Sequence, residues 1–132
     1  MGRLLNPGLG ELADRLTILE LKLGHAPPGV AVEHFREEHA QVQMRIDNLL
    51  KYVRERLRIV AAIRNLKAQN AVLWELEDEM AIYARPEDGY TDNIAFAVAA
   101  VGVRIWKANQ ARNRIIAEIN ALAGTPRGAE KF

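Results

Sequence analysis

Asn70, Glu77, Asn109 and Arg112 occupy positions where a helical period calls for apolar side chains. The first two interrupt the stripe Ile59, Ile63, Leu66, Asn70, Leu73, Glu77, Met80. The last two interrupt Ile94, Val98, Val101, Ile105, Asn109, Arg112, Ile116, Ile119. A polar group buried without a partner is costly, so these four must pair with one another or bind something. With Asp14 and Lys22 of an earlier helix, and Asp78 beside Glu77, they form a polar knot among three helices, roofed by Trp74 and Trp106. Such a set suits a small polar or nucleotide-like ligand. Lys22 and Arg112 would meet acidic groups, Asn70 and Asn109 would supply directional hydrogen bonds, and the two tryptophans would offer stacking surface. Self-satisfied polar residues that fix helix register are the competing reading. Seven polar members with two tryptophans favour a pocket.

Other chemistries find less support. The chain has no cysteine, which excludes thiol nucleophiles, disulfides and thiolate-bound metal. Thr17, Thr91 and Thr125 are the only hydroxyls besides tyrosine. His34 and His39 are five residues apart and face different sides of a helix, and His25 is alone in a predicted loop. No glycine-rich phosphate loop is present. Glu11-Leu-Ala-Asp14 looks like half of the acidic signature of all-α nucleotide pyrophosphohydrolases. An alternative expectation is therefore a Mg²⁺-dependent hydrolase using Glu11, Asp14, Glu77 and Asp78. Glu75 and Glu79 could supply the missing half only in rearranged order. The first expectation carries no metal and no cofactor.

These side chains must be positioned by helices. Hydrophobic content of 49%, charged content of 27% and only 6% aromatics suit one ordinary globular domain rich in helix formers. Asn6 and Pro7 read as N-cap and first position of a helix running from about 7 to 23, stopped by Gly24 and Pro27-Pro28. Neither glycine nor proline occurs between Val30 and Ala84. There Val32, Phe35, His39, Val42, Ile46, Leu49 and Val53 repeat as a coiled-coil seam. The rhythm shifts at Val53, Leu57 and Val60, so this helix of about 30–84 either continues through a stutter or bends near 54–58. A continuous helix would be on the order of 80 Å long and would require dimerisation to cover it. Arg85-Pro-Glu-Asp-Gly89 is a turn. Thr91 or Asp92 caps a last helix of about 92–123, and a mobile tail of 124–132 follows. The fold class is all-α: an antiparallel helical hairpin or bundle, in a single domain of residues 1–132.

The short turn makes the last two helices antiparallel neighbours. Trp74 is then expected on Val101 and Gly102, Asn70 near Ile105 and Trp106, Lys67 near Ala108 and Asn109, and Glu77 opposite Val98. Net charge of +1 gives no global pull toward nucleic acid. A basic stretch, Lys51, Arg54, Arg56, Arg58, Arg64 and Lys67, is relieved only by Glu55, and it offers a nucleic-acid reading that ranks last because no feature supports base readout. The longest apolar run, Ile94 to Val103, is about half of the ~20 residues a membrane span needs. The N-terminus lacks the layout of a signal peptide, so a cytoplasmic protein is expected.

Glu11-Leu-Ala-Asp-Arg-Leu-Thr-Ile-Leu-Glu-Leu-Lys22, Asn70-x-x-Leu-Trp-x-x-Glu-Asp78, Trp106-Lys-x-Asn-x-x-Arg112, Glu118-Ile-Asn120 and Glu130-Lys-Phe132 together resemble an uncharacterised bacterial family of small helical proteins. Some members of that family, which carries a domain of unknown function, accompany cell-surface polysaccharide and glycosyltransferase genes. The resemblance spans nearly the whole chain. It implies Asp14, Lys22, Asn70, Trp74, Glu77, Asp78, Asn109 and Arg112 as family-type positions, and no reaction. The chain departs from the family at Ala81 and Ile116, where basic residues are expected, and at Gln110, where an acid is. Two lost cations weaken any phosphate-binding role. The expectation is a non-enzymatic protein, a homodimer or higher oligomer through the heptad helix, with a polar inter-helix pocket for a small polar ligand or a protein partner.

Overall fold

The computed structural model describes residues 8–83 and 91–124. Among them are four helices: α1 (Leu9–His25), α2 (Glu33–Leu50), α3 (Arg56–Tyr83) and α4 (Asp92–Ala123). The all-α class is as expected. Asn6, Pro7, the 85–89 turn, the tail from Thr125 and Glu130-Lys-Phe132 lie outside the described residues.

Helix α1 is apolar on most of its circumference, with Leu9, Leu12, Ala13, Leu16, Leu19 and Leu21 buried. A helix of that kind must be covered on several sides, and α1 packs against all three others. It ends at His25, two residues later than expected, because Ala26 before Pro27 is forced into extended backbone. Pro28 and Gly29 then form a tight turn closed by Val30 N–H on the Pro27 carbonyl at 3.2 Å. Gly29 has φ +86°, which suits the third position of a type II turn, where a side chain would be strained.

The long heptad stretch is two helices, and the chain reverses over residues 51–55, slightly before the expected bend. Tyr52 N–H bonds to Leu49 O at 3.2 Å and Val53 N–H to Leu50 O at 3.3 Å, tightening the end of α2. The physical reason is coverage. A continuous rod would leave its seam in water, whereas the reversal lets Leu50, Val53, Ile59, Ala62 and Leu66 share one core with α1. The argument that a continuous rod compels dimerisation therefore falls. Beyond the reversal α2 and α3 make little direct contact, and a cleft of about 340 Å³ separates them over Leu16 and Thr17 of α1.

Helices α3 and α4 form the antiparallel hairpin, with Thr91 capping α4 through a 3.2 Å bond from Ile94 N–H. Toward the 84–90 link they hold a second, smaller core of Leu73, Leu76, Val101 and Ala108, whose buried members all come from these two helices. No described helix is long and apolar enough to cross a membrane.

Candidate functional site: a polar knot and its cleft

Asp14 is the hub. It lies on the buried face of α1, and its two carboxylate oxygens receive Arg112 of α4 in a bidentate pair, Nε to Oδ1 at 2.9 Å and Nη2 to Oδ2 at 2.5 Å. Asn70 of α3 donates from Nδ2 to Asp14 Oδ1 at 2.9 Å and to Thr17 Oγ1 at 2.8 Å. Thr17 in turn donates its hydroxyl to the Asp14 carbonyl at 2.9 Å. Three helices are thus tied at one point by charge-assisted bonds, the strong class of hydrogen bond. The Asp14 hydrogen bond holds Arg112 more firmly protonated than an ordinary arginine, against the opposing push of burial and with help from the charge of Glu77. Among the described residues no buried side-chain nitrogen or oxygen lacks a partner.

The knot forms one wall of a cleft of about 230 Å³ lined by Ile18, Leu21, Lys22, Asn70, Leu73, Trp74, Glu77, Asn109 and Arg112. Six of the nine residues expected at the site line it, and Asp14 sits directly behind Asn70 and Arg112. Arg112 lines the cleft and keeps 29% of its side chain exposed. Trp74 is clamped by His25, their rings stacked with centroids 4.6 Å apart and 13° between planes. The Lys22 side chain lines the cleft, while its ammonium lies 5.1 Å over the Phe35 ring of α2 in a cation–π contact and its charge also acts on Glu38 of α2.

Two expected members lie elsewhere. Trp106 is 62% exposed and does not roof the cleft, so the roof has one tryptophan. Asp78 is exposed and is not among the lining residues. Glu77 is exposed at the mouth of the cleft, where it acts on Arg112 through charge. The expected hairpin register is also corrected. Gly102 faces Met80, Gln69 reaches the Ala108 carbonyl at 3.5 Å, and Arg104 pairs with Glu79 at 3.3 Å. Trp74 turns instead toward His25, and Lys67 reaches Glu20 at 3.1 Å. Trp74 and Lys67 turn this way because α1 also packs against α3.

The carboxylates of the hydrolase alternative are engaged separately. Glu11 receives the Asn120 amide at 3.0 Å, Asp14 receives Arg112, and Glu77 and Asp78 are exposed on α3. Among the described residues no three imidazole or carboxylate groups converge as ligands would. Lys51, Arg54, Arg56 and Arg58 of the basic stretch lie at or beside the α2–α3 reversal, with exposed Tyr52 and Leu57 among them, whereas Arg64 and Lys67 line the cleft between α2 and α3. No family model, curated protein or solved structure matches the chain.

Several polar contacts were missed in the sequence, among them a bidentate pair from Arg15 of α1 to Glu38 of α2 at 2.5 and 2.6 Å. Thr17 joins the knot, and its signal was a lone hydroxyl three residues after Asp14 on an apolar helix. Glu20 bridges His39 of α2 at 3.0 Å and Lys67 of α3 at 3.1 Å. Burial pushes the Glu20 carboxyl up, but the bonds from His39 and Lys67 outweigh it and hold it below the usual glutamate range. Asn120 Oδ1 accepts Gly10 N–H at 2.7 Å, so a residue of α4 satisfies a donor in the first turn of α1, whose own N-cap residue Gly8 has no side chain to do so.

Proposed function

We propose that this chain is a non-enzymatic helical protein whose α1–α3–α4 cleft takes a small polar ligand. The observation that carries this reading is the convergence on one 230 Å³ cleft of a cation, an anion, two amides and an aromatic face: Lys22, Glu77, Asn70, Asn109 and Trp74. The volume is below the roughly 300–1,000 Å³ of drug-sized sites, which favours a molecule the size of a nucleobase, an amino acid or one sugar ring. The mixed charge favours a ligand bearing both an acidic group for Lys22 and Arg112 and a donor for Glu77. The Asp14–Arg112 pair has a positioning role, holding Asn70 and the guanidinium in place before a ligand arrives. The same positions carry the resemblance to the helical bacterial family, and the cytoplasmic setting expected from the sequence belongs to this reading.

The test is native mass spectrometry of protein purified without added ligand, followed by titration with nucleobases and free amino acids. Trp74 fluorescence in a Trp106→Phe background reports occupancy of the cleft, since Trp106 lies outside it. A defined extra mass or a saturable Trp74 response, lost in Lys22→Ala while the helical signal is unchanged, is the expected result. No extra mass and no Trp74 response to either class would leave the knot as a structural device.

A further inference from the structure

Helix α4 carries two apolar stripes, and α3 covers one. The second is Phe96, Ala99, Ala100, Val103 and Trp106, at three- and four-residue spacing along the opposite face. Every member is exposed, Phe96 by 82%, Val103 by 53% and Trp106 by 62%. Beside Phe96 it opens into an apolar groove of about 480 Å³ bordered by Asp92, Ala95, Phe96 and Ala99. From Ile94 to Val103 no charged residue interrupts it. Arg104, the nearest cation, is drawn aside to Glu79 of α3. A contiguous apolar stripe on an otherwise charged helical protein marks an association surface.

The order of residues along the stripe says what covers it. Asp92 and Lys107 close the two ends, Phe96 and Val103 lie next inward, and Ala99 and Ala100 are at the centre. The arrangement is symmetric about the point between the two alanines, with opposite charges at opposite ends. We propose that a second copy of this chain packs here, α4 against α4 and antiparallel about a two-fold axis between Ala99 and Ala100. Phe96 then meets Val103 of the second copy, and Asp92 meets Lys107, twice over by symmetry. The two alanines let the helix axes come close at the centre. A parallel arrangement would set Asp92 on Asp92 and Lys107 on Lys107, which like-charge repulsion disfavours. This interface replaces the heptad seam of residues 30–84 as the surface for self-association. It is separate from the ligand cleft, since none of its residues lines that cleft.

One helix pair of this length is small against the roughly 800 Å² per partner of a standard interface, so a micromolar dimer is expected. Sedimentation equilibrium of the full chain up to about 200 µM, where such a dimer dominates, is the test. The wild type should pass from one to two copies with concentration. In a Trp74→Phe background the emission of Trp106 should shift to the blue over the same range. Ala100→Glu, which sets like charges beside the axis and is exposed in the isolated chain, should remain a single copy with unchanged helical signal. The chain has no native cysteine, so Ala100→Cys should oxidise to one covalent dimer, while Ala61→Cys on exposed α3 should not. A wild type that stays a single copy throughout overturns the proposal and leaves the stripe to a different partner. So does a dimer that Ala100→Glu leaves intact, or an Ala100→Cys that cross-links no faster than Ala61→Cys.

Discussion

Arg112→Ala separates a knot that holds the helices from polar groups that merely lie near each other. The substitution removes both bonds from the guanidinium and leaves the Asp14 carboxylate with Asn70 as its remaining described donor. Breaking a buried ion pair by deleting one partner costs about 3–5 kcal/mol. Here the Asp14 side chain is 12% exposed and the Arg112 side chain 29%, so water reaches part of the orphaned charge. That discounts the loss to about 2–3 kcal/mol, including the packing of the arginine stem. For a chain of 132 residues this lowers Tm by roughly 8–10 °C. Urea denaturation of Arg112→Ala, Asp14→Ala and the double variant completes a cycle. Because the double variant no longer buries an unpaired charge, it should be more stable than the sum of the single losses by about 1–2 kcal/mol. A loss under about 1 kcal/mol for Arg112→Ala, or an additive cycle, would refute the claim that this pair ties α1 to α4.

Gly10→Ala tests the close approach of α1 and α4. An added methyl would meet the Ile116 carbonyl well inside van der Waals contact and Ile116 Cγ2 at 2.9 Å. The helix-propensity gain of about 1 kcal/mol should be outweighed by overpacking and by the strained Asn120 bond, for a net loss of about 1–3 kcal/mol in urea denaturation. Leu66→Ala, at a fully buried position in the main core, should cost about 3 kcal/mol by the same assay. Acid should destabilise the α1–α2–α3 junction. Glu20, despite the upward push of burial, and Glu38, through its bond from Arg15, both sit below the ordinary glutamate range. A depressed carboxyl contributes stability that is complete above its unfolded value, about 4.3 for glutamate. That contribution is lost as pH falls through the lower folded value. Urea midpoints should therefore hold near neutrality and drop below about pH 4, with a smaller drop for Glu20→Gln; an equal drop would remove Glu20 as a cause.

Much of this protein can be read locally. The spacing of leucines in α1, the Thr91 cap and the rhythm change before Leu57 are short-range signals, and the structure follows them to within a few residues. Asn70 and Arg112 announced themselves as polar intrusions in apolar stripes, because a helical period reports which face is turned inward. It does not report what lies against that face. The partners of Asn70 are 53 and 56 residues away, and Asp14 is 98 residues from Arg112. Those pairings exist because α1 packs into the angle between α3 and α4. That packing brought Thr17 into the knot, turned Trp74 onto His25 and drew Lys67 to Glu20. It also left Trp106 outside, on the second stripe of α4. Sequence by itself determined an all-α chain and the residues that interrupt its apolar faces, since both follow from local backbone preference and amphipathic period, while it left open whether residues 30–84 form one helix or two. The tertiary structure decided which interruptions meet, because that depends on how α1 divides the surfaces of its neighbours, a property of all the helices packing at once.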